Sequence, residues 1–272
     1  MTVSATEAAF EGFRVTRRHP GVVLIWAGVW LIGLILMMAV ILPLMAPWMD
    51  EIIAAEGNGA ALTPGARQAM QMATFAAIPV GLLLQALIMP AVYRTVLRPQ
   101  EKGFAWLRIG RDEGRMFVVL LVLGLVSVAL NLAGTPLQQW AAGALTLPLR
   151  LLLSLALFAL SIFITVRLSM IAPVTFVRRK LAFREGWRMS GRLFWPLLGL
   201  TVMVIAMAAI VVLLLVLIGW PLQVLVGGAG AIGPAQGIGA LLMLLLMPLG
   251  VALVTVILWA PFAALCRDLP ET

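Results

Sequence analysis

The chain has 272 residues, of which 63% are apolar and 11% are charged, whereas ordinary soluble domains are about 45–50% apolar and about 25% charged. This composition excludes a soluble globular protein, because even a domain of about 300 residues buries only about 75% of the surface that its unfolded chain exposes. The formal net charge of +8 is clustered beside apolar runs, which indicates anionic lipid headgroups and not nucleic acid as the partner of the basic residues.

The N-terminal segment, residues 1–20, places three arginines shortly before the first apolar run. This layout resembles a signal peptide, but the run extends over residues 21–47, whereas a signal h-region covers only about 7–15 residues. No small-residue cleavage site ends the run. We therefore expect residues 1–20 to form a cytoplasmic amphipathic segment, followed by an uncleaved transmembrane helix.

Six apolar runs follow one another along the chain, and each reaches or approaches the ~20 residues that a helix needs to cross a bilayer. The sequence therefore predicts an all-α integral membrane protein in which residues 21–264 form a single six-helix transmembrane domain. Residues 265–272 are predicted to be a cytoplasmic tail. The six predicted spans cover residues 21–47, 70–97, 116–133, 148–175, 194–226 and 238–264.

The basic residues are concentrated in alternate links. The N-terminal segment, the second link, the fourth link and the C-terminal tail contain 16 of the 19 Lys and Arg residues, whereas the other links contain only Arg67. Arg150 and Arg167 lie within the fourth run. Because short cytoplasmic loops retain Lys and Arg, this alternation predicts that both termini are cytoplasmic and that the number of spans is even.

Similar sequences precede the odd-numbered spans. EGFRVTRR at 11–18 matches EGWRMSGR at 185–192 almost position by position, and WLRIGRDEGR at 106–115 is a weaker match with a shared core at 107–110. The even spans end alike, with Ala-Pro or Met-Pro followed by basic residues. The pattern predicts three repeated helical hairpins, each introduced by an amphipathic segment. Common constraints on membrane-helix flanks are the alternative explanation.

The segment 176–195 contains the most informative charges. Arg184, Arg188 and Arg192 recur at every fourth position and form one stripe on a helix, with Trp187 on a neighbouring flank. A basic stripe beside an aromatic one is typical of a helix that lies in the headgroup plane. We interpret these residues as candidate contacts to anionic lipid or to a partner, with generic anchoring as the alternative. Corresponding candidates in the related segments are Arg14 and Arg108.

Among the polar residues within predicted spans, Arg167, Gln85 and Asn131 are the candidates for an intramembrane role. A charge inside the membrane is a functional candidate because its burial in hydrocarbon costs several kcal/mol. Arg167, however, lies only six residues before Pro173, so its long stem can also snorkel to the cytoplasmic interface. Amides within spans usually bond across helices. These residues are therefore either packing groups or the lining of a polar route.

Little in the sequence predicts catalysis. His19 is the only histidine and Cys266 the only cysteine, so neither a histidine metal site nor a nucleophile with a neighbouring histidine base is indicated. No acidic residue lies within an apolar run, which removes the usual carboxylate of a proton relay. We therefore predict no enzymatic activity, no metal ion and no cofactor.

The string RLSMIAPVTFVRRKLAFREGWRMSGRLFW at 167–195 combines an Arg near the end of a span, Ala-Pro, a basic link and an aromatic-Arg-apolar-Ser-Gly-Arg entry into the next span. This layout resembles the membrane domain of bacterial glycerophosphoryl diester phosphodiesterases and related stand-alone six-span proteins of unknown function. The resemblance implies a multi-span domain in the bacterial inner (plasma) membrane. It does not extend to the soluble phosphodiesterase domain, so that activity is not implied for this chain.

Together these features favour a non-enzymatic inner-membrane protein that acts as a scaffold, accessory or regulatory subunit in the bacterial envelope. Its basic face would contact anionic lipids, another membrane protein or a second copy of the chain. The alternative is a small transporter or channel with a polar route that involves Arg167, Gln85 and Asn131. A cavity that reaches Arg167 would favour this alternative. A lipid enzyme embedded in the membrane is the weakest of the three hypotheses.

Overall fold

A computed structural model describes residues 5–55, 62–101, 103–227 and 234–267, and this part of the chain contains no β-strand. Short 3₁₀ turns at Ala46–Trp48 and Phe104–Trp106 supplement the α-helices. The α-helices are α1 (Ala5–Ala9), α2 (Glu11–Arg18), α3 (Pro20–Met45), α4 (Met49–Ala54), α5 (Pro64–Leu97), α6 (Arg111–Ala144), α7 (Leu147–Leu168), α8 (Ile171–Arg178), α9 (Phe183–Arg192), α10 (Phe194–Gly227) and α11 (Pro234–Ala264).

Six stretches of the described chain are helical, long and apolar enough to cross a membrane. The predicted all-α architecture with six spans is therefore confirmed. The stretches are Pro20–Ala54, Pro64–Leu97, Phe104–Ala144, Leu147–Arg178, Phe194–Pro221 and Leu241–Leu265.

The third spanning helix is longer than the prediction of 116–133. α6 begins at Arg111 and continues through Pro136 to Ala144. Its 34 residues extend over about 51 Å, well beyond the ~30 Å of hydrocarbon in a bilayer. Helical hydrogen bonds require no apolar side chains, so the helix continues after the apolar run has ended. Residues 134–144, predicted as part of a link, are therefore helical.

The fourth predicted span, residues 148–175, consists of two helices. α7 ends at Leu168 and α8 begins at Ile171. Pro173 has no N–H to donate, and it lies in the first turn of α8, where no helical hydrogen bond is lost because the first one is donated by Val174 to the Met170 carbonyl oxygen. α8 is buried from Ile171 to Val177, whereas α7 buries only Val166 among its residues.

The core of the bundle lies around α11, which packs against α3, α5 and α10, and also against α2. Trp26 on α3, Tyr93 on α5 and Phe176 on α8 are among its largest fully buried side chains. α7 is peripheral, because Leu155 and Phe158 remain 62% and 63% exposed. In a protein that spans a membrane, such apolar surfaces face the hydrocarbon.

Ion pairs bring several cationic links together at one end of the bundle. Arg267, just beyond α11, lies 2.9 Å from Glu11 on α2. Arg179, just beyond α8, lies 3.5 Å from Glu101 in the link between α5 and α6. We call this end, formed by α2, that link, α8, α9 and the residues after α11, the basic end. The opposite end, where α6 is followed by α7, is called the far end.

Candidate functional site

The stripe predicted at Arg184, Arg188 and Arg192 lies on α9 at the basic end. Together with Glu185 and Met189, the three arginines line a pocket of about 600 Å³. All three are exposed, and within the described chain their guanidinium groups make no hydrogen bond or ion pair. The structure therefore brings these three predicted residues together and leaves their hydrogen-bond donors available.

Close backbone packing holds α9 against α8. A Cβ atom on Gly186 would lie only 2.7 Å from the Cα atom of Ile171, so the two helices approach more closely than any other residue would allow. Arg178 adds an ion pair, with its Nη2 atom 2.7 Å from Oε1 of Glu185. This pair neutralises the one carboxylate that lines the pocket, and the pocket therefore keeps a net positive charge.

Arg167 lies beneath α9, at the basic end of α7. Its guanidinium carbon is 4.3 Å from the ring centroid of Trp187, and a Cβ on Gly191 would overlap the guanidinium group. The Arg167 Nε atom is buried without a hydrogen-bond partner in the described chain. Arg167 and Trp187 thus form a cation–π contact, which joins two residues that the sequence treats as separate candidates.

Arg14 and Arg108 belong to other contacts at the basic end. Arg14 donates to Glu11 on the same helix at 3.1 Å, and Arg108 donates to the carboxylate of Glu101 at 3.4 Å. Their side chains are 47% and 45% exposed. Neither residue lines the pocket on α9, so the structure does not bring them together with the stripe.

Gln85 and Asn131 lie in different environments within the spans. Gln85 is partly buried on α5. Asn131 is exposed, and its amide donates at 2.8 Å to the carbonyl oxygen of Ser127 on the same helix. The pocket on α9, a groove between α10 and α11, and a cavity at the far end are all lined by other residues. These three spaces therefore provide no observation that supports the predicted polar route.

Sequence reasoning missed a buried charged cluster where α5 meets α6. Arg94 is 2% exposed and Glu113 is 8% exposed. Nη2 of Arg94 lies 2.5 Å from Oε1 of Glu113 and 3.6 Å from Oδ2 of Asp112. Arg98 approaches the same Asp112 oxygen at 3.8 Å and lies 4.9 Å from the Phe176 ring centroid. Arg94 and Arg98 were used only as indicators of membrane topology, so this cluster was not predicted. The sequence signal that could have found it is the pair of acidic residues, Asp112 and Glu113, directly before an apolar run.

The link between α5 and α6 is held by this cluster and by α3. Ala105 and Trp106 both adopt left-handed backbone angles, with φ of 51° and 57°, which L-residues rarely adopt. Nε1 of Trp26 donates to the Ala105 carbonyl at 3.0 Å. Nη1 of Arg94 donates to the Trp106 carbonyl at 3.1 Å. Two buried side chains therefore hold an unfavourable backbone conformation in place.

A Glu–Arg contact recurs at three junctions of the basic end. In each case, the Glu of a Glu-Gly pair, located before an odd-numbered span or in its first turn, contacts an Arg that follows Pro90, Pro173 or Pro261 at the end of an even-numbered span. The third contact connects the first and last spans, so the series closes on itself. The contacts are Glu113–Arg94 at the α5–α6 junction, Glu185–Arg178 at the α8–α9 junction and Glu11–Arg267 at the α2–α11 junction.

The middle member of this series is Glu113-Gly114, and not the shared core at 107–110 that the sequence comparison indicates. Residues 107–109 are not helical, whereas Glu113 lies in the first turn of α6. α2 and α9 are separate short helices, but the corresponding residues of the middle copy are continuous with the spanning helix. The middle copy therefore differs from the other two in structure as well as in sequence.

The only histidine, His19, and the only cysteine, Cys266, lie at packed positions of the basic end. His19 contacts the Trp106 ring at a centroid distance of 5.1 Å. Cys266 is 1% exposed, and burial raises the pKa of its thiol from 9.0 to about 12. The thiol is therefore protonated at neutral pH and is not available as a nucleophile. Among the described residues, no group of three His, Cys, Asp or Glu side chains could hold a metal ion.

The helices and their lengths define this chain as an all-α integral membrane protein with six spans. No family model, curated protein or solved structure matches the chain. The resemblance of residues 167–195 to phosphodiesterase membrane domains therefore stays a prediction.

Proposed function

We propose that this protein is a non-enzymatic scaffold, accessory or regulatory subunit of the bacterial inner membrane, and that α9 binds anionic lipid headgroups. The observation that carries the proposal is the stripe of Arg184, Arg188 and Arg192, three exposed arginines around one pocket with no partner in the described chain. In this proposal both termini and the basic end are cytoplasmic, in agreement with the distribution of Lys and Arg.

The contrast with the other basic residues supports a binding role for the stripe. Arg94, Arg115 and Arg178 each contact a carboxylate in the structure, so their charge is already used within the fold. Arg184 and Arg192 are eight residues apart on α9, or about 12 Å along the helix axis, and the guanidinium groups of the stripe suit the oxygens of phosphate. The Trp187 ring beside the stripe suits the boundary between headgroups and acyl chains.

Electrostatics sets the expected strength of lipid binding. Each Arg near an anionic membrane surface contributes roughly 1 kcal/mol, so the stripe would contribute roughly 3 kcal/mol in total. A difference of this size corresponds to about a hundredfold change in affinity. If lipid binding depended only on the net charge of the basic surface, removing any three cations would lower the affinity by the same amount, wherever those cations are located.

The experiment compares two triple variants of the full-length protein purified in dodecyl maltoside. Arg184/Arg188/Arg192→Gln removes the stripe, whereas Arg17/Arg18/Arg111→Gln removes three exposed cations outside the pocket. Native mass spectrometry then counts retained phosphatidylglycerol, with phosphatidylcholine as the uncharged reference. We expect the stripe variant to lose phosphatidylglycerol strongly and the control variant to retain it. Equal retention of phosphatidylglycerol in both variants would contradict specific lipid recognition by α9.

A cysteine-accessibility experiment tests the orientation. In a Cys266→Ala background, Arg184→Cys should resist a membrane-impermeant maleimide in intact spheroplasts and react after permeabilisation. Labelling in intact spheroplasts would place α9 outside the cell and contradict the cytoplasmic location of the basic end.

A further inference from the structure

The far end of the bundle contains a second cationic cavity that is independent of α9. The C-terminal part of α6 and the first turns of α7 line an open cavity of about 330 Å³, which lies within the ~300–1,000 Å³ range of ligand pockets. Its polar lining consists of Thr135, Gln138, Gln139, Arg150 and Ser154. Arg150 and Arg167 are 17 residues apart on α7, or about 26 Å along the helix axis, so this cavity and the α9 pocket belong to opposite ends.

The lining of this cavity is rich in hydrogen-bond donors and contains no carboxylate. Arg150 offers a guanidinium group, Gln138 and Gln139 offer amide N–H groups, and Ser154 offers a hydroxyl group. Within the described chain, these four side chains make no hydrogen bond or ion pair. Thr135 differs, because its hydroxyl already donates to the carbonyl oxygen of Asn131 at 2.9 Å.

A fixed cation beside three neutral donors suits an anion with several oxygens. Arg binds phosphate through two parallel N–H···O bonds, which leaves further phosphate oxygens for amide and hydroxyl donors. Arg150 lies in the first turns of α7, close to the start of the fourth spanning stretch at Leu147. A long basic side chain at the end of a spanning helix can reach the phosphates of lipid headgroups.

We propose that the cavity between α6 and α7 at the far end binds a phosphate group, with Arg150 as the cationic contact and Gln138, Gln139 and Ser154 as neutral donors. The phosphate can belong to a lipid of the leaflet at the far end or to a soluble phosphate ester. Generic anchoring of Arg150 at the interface would require the charge but not the amides, and this difference makes the two explanations separable.

The experiment uses the full-length protein in phosphate-free dodecyl maltoside with three variants. Arg150→Gln removes the cation from the cavity. Gln138→Leu removes a neutral donor without changing charge. Arg67→Gln is the matched control, because Arg67 is an exposed cation near the start of α5 that does not line the cavity. Inorganic phosphate is titrated by calorimetry as the soluble probe, and native mass spectrometry counts retained phosphatidylglycerol as the lipid probe.

We expect Arg150→Gln to weaken binding of one or both probes by about tenfold or more, as removal of a charged donor requires. Gln138→Leu should weaken the same probe several-fold, whereas Arg67→Gln should leave both probes unchanged. An effect on phosphatidylglycerol alone identifies the lipid source, and an effect on inorganic phosphate alone identifies the soluble source. The proposal is overturned if Arg150→Gln and Arg67→Gln behave alike, or if Gln138→Leu has no effect. Since no residue of α9 is changed, these outcomes are independent of the stripe experiment.

Discussion

The α5–α6 and α8–α9 junctions use the same pair of residue types at different degrees of burial. At the α5–α6 junction, the side chains of Arg94 and Glu113 are 3% and 10% exposed. At the α8–α9 junction, the corresponding values are 15% for Arg178 and 40% for Glu185. Removing one partner of a buried pair costs about 3–5 kcal/mol, whereas an exposed pair contributes about 0–1 kcal/mol. Burial, and not the identity of the pair, therefore decides what each junction contributes to stability.

The same comparison separates structural charge from charge that is available for binding. Arg94 and Arg115 contact Glu113 and Asp112 next to the start of α6, so their charge is compensated within the fold. The Arg184, Arg188 and Arg192 stripe has no such carboxylate partners in the described chain. A count of basic residues predicts topology, but only their pairing shows which of them can receive an anion.

The largest expected effect comes from breaking the buried pair. Glu113→Gln keeps the size of the side chain but leaves the carboxylate of Asp112, at 3.6 Å, as the remaining negative charge beside the Arg94 guanidinium in the described chain. We expect the free energy of unfolding to fall by about 3 kcal/mol, because a buried charge loses its closest compensation. The measurement is reversible unfolding in mixed dodecyl maltoside and sodium dodecyl sulfate micelles, followed by the loss of helical circular dichroism.

Glu185→Gln is the matched change at the exposed junction, and it should cost less than about 1 kcal/mol in the same assay. If Glu113→Gln and Glu185→Gln cost the same amount, burial does not distinguish the two junctions and the comparison fails.

The spans could be predicted from the sequence because hydrocarbon-length apolar runs and alternating charge are local properties. The helix ends were less predictable, as the continuation of α6 to Ala144 shows. Helical periodicity predicted that Arg184, Arg188 and Arg192 share one face, and in the structure these three residues lie on α9 and line one pocket. The Arg94–Glu113 contact joins residues on two different helices, and the contact between Arg267 and Glu11 connects the two ends of the chain. The local sequence can mark such charges, but it does not show which residues pair, because the pairing depends on how the helices pack.

The glycines of the Glu-Gly pairs offer a second, intermediate test. A Cβ on Gly12 would lie 2.7 Å from the Cα atom of Ile257, and Gly186 has the same 2.7 Å relation to Ile171. Backbone atoms cannot move aside as a flexible side chain can, so Gly12→Ala and Gly186→Ala should each destabilise the protein by about 1–3 kcal/mol. The unfolding assay described above measures both changes.

Gly114→Ala is the control at the α5–α6 junction, because a Cβ there would meet nothing within 4 Å. Within a helix this change should stabilise the protein by about 0.5–1 kcal/mol. We therefore expect a loss of stability for Gly12→Ala and Gly186→Ala but a gain for Gly114→Ala, although the three glycines occupy equivalent sequence positions. A loss of stability at Gly114 like that at Gly12 would show that the middle junction is packed in the same way as the others.

The smallest effect is expected at the contact between Arg167 and Trp187. Trp187→Leu removes a cation–π contact with a centroid distance of 4.3 Å, which contributes about 0.5–1 kcal/mol at a partly exposed site. Trp195→Leu is the control, since Trp195 is 77% exposed and makes no cation–π contact in the described chain. If the close packing of Gly186 is the main attachment of α9 to the bundle, Trp187→Leu should lower the free energy of unfolding by less than Gly186→Ala does. A larger cost at Trp187 would instead make the aromatic contact the main attachment of α9 to the bundle.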